Sequence, residues 1–338
     1  MNTMSKHGNV VVITGASAGV GRATVREFAK HGAAIALVAR GVDGLEAACR
    51  EVGALGGRAV AYSVDVGNAD EVEHAADEIE AALGPIDIWI NNAMVSVFSP
   101  AVEMSAEEYR RVTEVTYLGT VHGTLSALRH MRPRNRGTIV QVGSALAYRG
   151  IPLQSAYCAA KHAVQGFTES LRCELMHERS RIRLTMVQLP ALNTPQFSWV
   201  RSRLPCKPQP VPPIYQPEVA ARAIVWAAHH DRRELNVALP TVVTIAGNKI
   251  APGVGDWYLA RTGYAAQQTN EAASPDRQDN LWYPVAGDHG AHGAFGDRAF
   301  GFSPMLWLST HRAMVAIGLA GGLAAQWLAR QRHRRRCR

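Results

Sequence analysis

The segment Ser155-Ala-Tyr157-Cys-Ala-Ala-Lys161 places a phenol and an ammonium four residues apart. On a helix, positions i and i+4 share a face, so Lys161 stands near Tyr157, favours the ionised phenol and draws its pKa towards neutrality. A phenol tuned in this way exchanges a proton with a substrate oxygen at ordinary pH. Ser144, thirteen residues before the tyrosine, supplies a hydroxyl for the same oxygen. Spacing of this kind also occurs on ordinary surface helices, so its meaning depends on the elements that position it.

Those elements begin with Val10 to Ile13, a β-branched run followed by Thr14-Gly-Ala-Ser-Ala-Gly-Val-Gly21 and then by a helix from Arg22 to His31 closed by Gly32. Gly15 permits a tight turn, Gly19 lets the backbone approach a pyrophosphate, and Gly21 allows close helix packing. The free N–H groups of the first helical turn then face the anion. Short apolar strands alternate with helical stretches, at Val10–Thr14, Ala34–Ala39, Ala59–Ser63, Ile86–Asn91, Gly137–Gly143, Ile182–Gln188 and Leu235–Ala238. This alternation predicts an α/β fold, a Rossmann-like doubly wound parallel sheet of about seven strands with a C-terminal extension. Functional loops gather at the carboxyl ends of its strands, and Ser144 falls just beyond the fifth. Ser105-Ala-Glu-Glu108 reads as a capping box opening a long helix that carries Thr116, so Ser105 is structural.

With these motifs in order, the chain resembles the short-chain dehydrogenase/reductase family over residues 8 to 240, and more weakly to about residue 270. Thr14 to Gly21 fits the TGxxxGxG turn, Asp65-Val66 the acidic residue that contacts adenine, Asn91-Asn92-Ala93 the motif after the fourth strand, and Ser144, Tyr157 and Lys161 the Ser and Tyr-x-x-x-Lys signature. The resemblance implies a nicotinamide dinucleotide held by Thr14, Gly15, Ser17, Gly19, Val20, Gly21, Asp65, Val66, Asn91, Ala93, Tyr157, Lys161, Pro190 and Thr194. It also implies hydride transfer to or from a carbonyl or secondary alcohol. In that scheme Ser144 bonds the substrate oxygen, Tyr157 delivers the proton, and Lys161 lowers the tyrosine pKa and binds the nicotinamide ribose. Family members usually form dimers or tetramers through the helices that here carry Thr116 and Tyr157. The chain departs from the pattern at Thr116, where the family has a catalytic Asn; at Met94, where it has Gly; and at Pro190-Ala191, where it has Pro-Gly. A threonine hydroxyl keeps part of the water relay that the Asn supports. The carboxamide role falls to Thr194. Thr116 and Ala191 keep a second reading open, a non-catalytic NADP(H)-binding sensor or scaffold.

The second strand ends without the carboxylate that reads a ribose 2′-hydroxyl, and Arg40 follows it directly. A guanidinium fits a 2′-phosphate, so the expected cofactor is NADP(H). From Pro190 to Pro217 the chain carries eight prolines and reads as the substrate loop, with Phe197, Trp199, Leu204 and Ile214 as an apolar wall and Arg201, Arg203 and Lys207 as solvated charges.

The 338 residues, 47% of them apolar, fit a catalytic domain over 1–240, an extension over 241–302 and an apolar helix with a basic tail over 303–338. Six of the basic residues crowd Arg330 to Arg338; removing them takes the formal charge from +8 to +2 and leaves no nucleic-acid surface. The five cysteines show no metal spacing and read as reduced thiols in a cytoplasmic setting, and Asp288, His289 and His292 match no tetrahedral metal site. Met1 to Gly8 is polar and has no secretory character. The glycine-rich stretch from Asp276 to Phe302 reads as a mobile tether. Beyond it, Ala313 to Ala329 is nearly charge-free, and seventeen residues give about 25 Å of helix, the short limit for a bilayer span. A span would place the arginines and the catalytic domain in conflict with the positive-inside rule, which favours a segment lying on an anionic membrane over a span or a docked soluble helix.

Overall fold

The computed structural model describes residues 9–274, 276–312, 314, 315 and 327. The segment Ala313–Ala329, apart from residues 314, 315 and 327, and the arginines after it lie outside the described residues, so the membrane expectation drawn from them is not addressed. Among the described residues no helix is long and apolar enough to cross a membrane.

Seven strands form one parallel sheet: β1 (Val10–Thr14), β2 (Ala34–Ala39), β3 (Arg58–Ser63), β4 (Ile88–Asn91), β5 (Thr138–Ser144), β6 (Arg183–Leu189) and β7 (Glu234–Asn236). Their spatial order is β3-β2-β1-β4-β5-β6-β7. Each matches a strand read from the sequence, with ends shifted by at most two residues. The order reverses between β1 and β4, which opens a crevice at their carboxyl ends. The sheet is covered on both faces, and this explains the unbroken apolar run of β1: Val11 and Ile13 pack into one core with Phe28 and Ile224, while Val10 and Val12 pack into the other with Trp89 and Met131.

The helices that carry the site are α1 (Gly19–Ala29), α2 (Val42–Ala54), α3 (Ala69–Leu83), α4 (Ala106–Val112), α5 (Gly119–Met131), α6 (Ser155–His177) and α7 (Pro217–His229). The capping box forms as expected: the Ser105 hydroxyl accepts from the Glu108 amide at 3.3 Å, and the Glu108 carboxylate accepts from the Ser105 amide at 2.9 Å. The long helix it was expected to open is nevertheless not continuous. A π-helical turn, Thr113–Leu118, separates α4 from α5. Two long-range contacts favour the wider turn, since the Thr116 hydroxyl is bonded to the backbone of Val95 and Gly119 packs so closely on Val66 that a Cβ there would lie 2.6 Å from its side chain.

The extension continues through α8 (Leu239–Ile250) and α9 (Pro252–Ala266) to a strand, Gln268–Ala272, that pairs antiparallel with Cys206–Pro208. The stretch read as a mobile tether is instead held to the body. Ala299–Phe300 pairs with Ile214–Tyr215, the Ser303 hydroxyl donates to the Val237 carbonyl at 2.6 Å, and Leu306 of α10 (Pro304–Thr310) enters the core.

A fully buried arginine joins the glycine turn to α2. Arg22 donates to the carbonyls of Ser17 at 3.1 Å and Gly44 at 2.7 Å, and to the Glu51 carboxylate at 2.8 Å, which Arg26 also engages at 2.6 Å. Burial would raise the Glu51 pKa, but the bonds from Arg26 and Arg22 outweigh it and bring the group down to about 2. The folded carboxyl is therefore more acidic than the unfolded one, so its contribution is complete above the ordinary carboxylate range and disappears as pH falls towards 2. Thermal denaturation followed between neutral pH and pH ~3 should show Tm falling with acid, and Glu51→Gln should lower Tm at neutral pH and flatten that fall. An unchanged acid slope in the variant would refute the linkage.

Candidate active site

Ser144 ends β5, and α6 begins at Ser155 and brings Tyr157 and Lys161 round one turn apart beside it. The Ser144 oxygen accepts from the Leu146 amide at 3.1 Å, which caps the next short turn and leaves its proton free to point elsewhere. Lys161 is buried; its ammonium donates to the Val142 carbonyl at 2.7 Å and lies 5.7 Å from the centre of the Tyr157 ring. Burial brings the lysine pKa down to about 8. The tyrosine does not move towards neutrality as the spacing suggested. Burial holds its phenol above the ordinary value, and a hydrogen bond with Ser144 offsets only part of that. The phenol thus keeps its proton through the neutral range, the form a proton donor requires.

Two cavities meet at this point. The first, about 210 Å³, lies at the carboxyl edge of β1 and β4 and is lined by Gly15, Ser17, Gly19, Val20, Arg40, Asp65, Val66, Ala93 and Thr194 of the residues expected to hold a dinucleotide. Gly15 and Gly19 adopt left-handed backbone, with φ of 66° and 57°, as the turn requires. A Cβ on Gly21 would fall 2.0 Å from the Gly15 carbonyl oxygen, so only glycine lets α1 start so near the strand. Thr14, Gly21 and Asn91 do not line the cavity. The Thr14 hydroxyl accepts from the amides of Asn92 at 2.9 Å and Ala93 at 3.0 Å, tying β1 to β4, while Asn91 joins a buried network with Trp89, Thr124 and Gln141.

The second cavity, about 710 Å³ and largely apolar, is lined by Ser144, Tyr157, Lys161 and Pro190, together with Phe197 and much of α8 and α9. Val20, Asn92, Met94, Thr194 and Gln196 line both spaces. Thr116 lines neither. Its hydroxyl donates to the Val95 carbonyl at 2.9 Å and accepts from the Val95 amide at 3.1 Å, so it fixes the segment after β4. Of the apolar loop residues, Phe197 faces the larger cavity and Trp199 the smaller, while Leu204 and Ile214 pack into the interior. Arg201 and Arg203 both engage the Glu108 carboxylate, at 2.5 and 2.9 Å, rather than standing as solvated charges.

The strap formed by residues 280–290 is not foreseen by the sequence pattern. Asn280, Pro284, Val285, Gly287 and His289 roof the smaller cavity. Arg40, expected to await a phosphate, donates to the carbonyls of Asn280 at 2.5 Å, Trp282 at 2.8 Å and Leu281 at 3.4 Å. Arg111 donates to the Leu281 carbonyl and to Asp65, and the Gly19 amide donates to the Gly290 carbonyl at 3.0 Å. The Asp65 carboxyl lies below its ordinary value; burial acts against this, and Arg111 with the Gly67 amide prevails. His289 packs edge-on against Trp199 and His292 pairs with Glu218, so these histidines have protein partners.

A family model described as short chain dehydrogenase matches residues 9–204. An uncharacterised oxidoreductase of Bacillus subtilis, YxnA, is 31% identical over 330 residues, covering 96% of this chain and 91% of its own. A short chain dehydrogenase from Mycobacterium paratuberculosis bound to NAD superposes with TM-score 0.59 and 25% identity, and a metagenomic short-chain oxidoreductase in complex with NADP with TM-score 0.57 and 26%. Each structure covers 68% of this chain and 96% of its own. The chain belongs to the short-chain dehydrogenase family. It is an oxidoreductase of that family whose strap, α8 and α9 all lie beyond the matched segment.

Arg40→Ala removes one of the arginine anchors of the strap, which Arg111 at Leu281 and Arg22 at Asp288 also hold. Amide hydrogen exchange across residues 280–290 should then quicken by on the order of tenfold, the equivalent of one hydrogen bond to a charged group. Unchanged exchange would mean that the strap is held by its other contacts alone.

Proposed function

We propose that this chain is an NADP(H)-dependent oxidoreductase that interconverts apolar carbonyl compounds and secondary alcohols. The observation that carries the reading is the meeting of the two cavities: the space beside the glycine turn opens, past Val20, Asn92, Met94 and Thr194, onto a large apolar space walled by Ser144 and Tyr157. The glycine turn at the start of α1 fits a pyrophosphate, since its glycines carry no side chains over the backbone there; the Gly19 amide, which donates to the Gly290 carbonyl at 3.0 Å, would have to exchange that partner for the phosphate. A bound nicotinamide supplies hydride chemistry at C4. The protein positions the substrate carbon and manages the proton.

In the reducing direction the Ser144 hydroxyl donates to the substrate oxygen and orients it. As that oxygen gains charge, the Tyr157 phenol transfers its proton, which its raised pKa has kept in place at neutral pH. Lys161, close to the ring and buried, opposes the charge left on the phenolate. In the family scheme it also bonds the nicotinamide ribose. Thr194, on the wall shared by both cavities, would hold the carboxamide.

The choice of NADP(H) rests on Arg40 at the end of β2 and on the lack of a carboxylate there. Structural relatives occur with either dinucleotide. A 2′-phosphate would share the Arg40 guanidinium with the carbonyls of the strap. The catalytic reading is favoured over the non-catalytic one because Ser144, Tyr157 and Lys161 line the larger cavity; Thr116, with its hydroxyl committed to the Val95 backbone, supplies no part of a water relay.

Tyr157→Phe tests the assignment. With the proton donor removed, turnover of an apolar ketone should fall by at least ~10²-fold while NADPH binding, followed by fluorescence, stays within about twofold of wild type. Comparable turnover in the variant would remove Tyr157 from the mechanism.

A further inference from the structure

The pair of helices α8 and α9 forms one wall of the larger cavity, yet almost none of it is buried. Thr241 alone in α8 and Gly263 alone in α9 are buried. Leu239, Val243, Ile250, Val254, Trp257 and Tyr258 are each more than half exposed, Ile250 to 83%. Single exposed apolar side chains are ordinary; six within two short helices form a contiguous feature that soluble surfaces rarely carry without a partner. Val243, Val254, Trp257 and Tyr258 also line the catalytic cavity, so the apolar surface runs without a break into the space that holds Ser144 and Tyr157.

The charges on this face are few and net positive. From Leu239 to Ala266 the chain has only Lys249, Asp256 and Arg261 as charged residues. Asp256 is taken by Arg149 at 2.6 Å. Lys249 lies 5.8 Å from the Tyr148 ring and Arg261 4.1 Å from the Trp257 ring, so the two cations sit against aromatic faces at the edge of the apolar surface. An apolar face bordered by tryptophan, tyrosine and free cations is complementary to a bilayer surface with anionic headgroups. It is a poor match for a second copy of itself. A two-fold contact over this face would cover the mouth of the cavity.

We propose that α8 and α9 dock on an anionic lipid surface and that the catalytic cavity opens into it, so that the substrate is a lipid-borne carbonyl or alcohol. The substrate half of this proposal rests on the oxidoreductase reading given above; the docking half does not. Entry along an apolar path spares a lipophilic molecule passage through water, and the cations at the edge hold the mouth against the headgroups.

The test is flotation of the full chain with phosphatidylcholine vesicles and with vesicles containing about one-third phosphatidylglycerol. Wild type should float with the anionic vesicles and far less with the neutral ones. Leu239→Glu combined with Ile250→Glu places carboxylates on the face at two positions that do not line the cavity. It should reduce the floating fraction by roughly tenfold and slow turnover of a vesicle-borne long-chain ketone similarly, while turnover of a short water-soluble ketone and the circular dichroism spectrum stay unchanged. The milder Ile250→Ser should give an intermediate loss. The proposal is overturned if wild type does not float, if the double variant floats like wild type, which would place lipid contact elsewhere on the chain, or if sedimentation shows a wild-type dimer that the double variant dissolves. Failure of every carbonyl to react would undo the oxidoreductase reading and leave the flotation result to stand on its own.

Discussion

The start of α1 can lie against the end of β1 only because Gly21 has no side chain, and the chain leaving β4 can close on the turn only because Gly15 has none. A single methyl group at Gly21 would overlap the Gly15 carbonyl. This close approach sets the position of the whole nucleotide edge. Thr14, immediately before the turn, ties β1 to the chain leaving β4 through the amides of Asn92 and Ala93, and the Asn92 side chain donates back to the Thr14 carbonyl at 2.9 Å. Arg22, immediately after it, ties the turn to α2. The cavity at the sheet's switch point is therefore bounded by backbone whose freedom has been removed from three sides, and a rigid boundary of this kind is what orienting two reactants requires.

Burial has opposite effects on the two titrating groups of the trio. It keeps the Tyr157 phenol protonated and makes the Lys161 ammonium easier to deprotonate, so both pKa values move away from the ion pair that their spacing alone would suggest. The arrangement favours proton delivery to an oxygen that becomes negative during the reaction. The surrounding apolar space strengthens each of these interactions by keeping water from them. Much of that space is built by α8 and α9, and the strap closes the neighbouring one. The matched family segment thus carries Ser144, Tyr157 and Lys161, and the extension supplies much of the enclosure.

The sheet was legible in the sequence because its strands are buried on both faces and so appear as short apolar runs separated by helical periodicity. The glycine turn and the trio were legible because their geometry is local: a left-handed turn, a helix start, one helical turn between two side chains. The features that escaped depend on distant contacts. The π-helical turn at Thr113–Leu118 depends on Val95 and Val66, neither of which is adjacent in the chain. The strap has no helical or strand periodicity and reads as a loop; its order comes from Arg40 and Arg111, more than 150 residues upstream. Arg40 could be located at the strand end but its carbonyl partners could not. Composition likewise could not show that the apolar residues of α8 and α9 face outward.

In the proposed reading this cavity brings an apolar carbonyl compound to a reduced nicotinamide, or the corresponding secondary alcohol to an oxidised one. The most direct measurement follows the absorbance of NADPH and NADH with purified full-length chain across methyl ketones of increasing length. The expected result is consumption of the nucleotide with kcat/KM rising by about threefold to fourfold for each added methylene until the cavity is filled, as burial of about 0.8 kcal/mol per methylene requires. Binding of the nucleotide without its consumption by any ketone in the series would contradict the account.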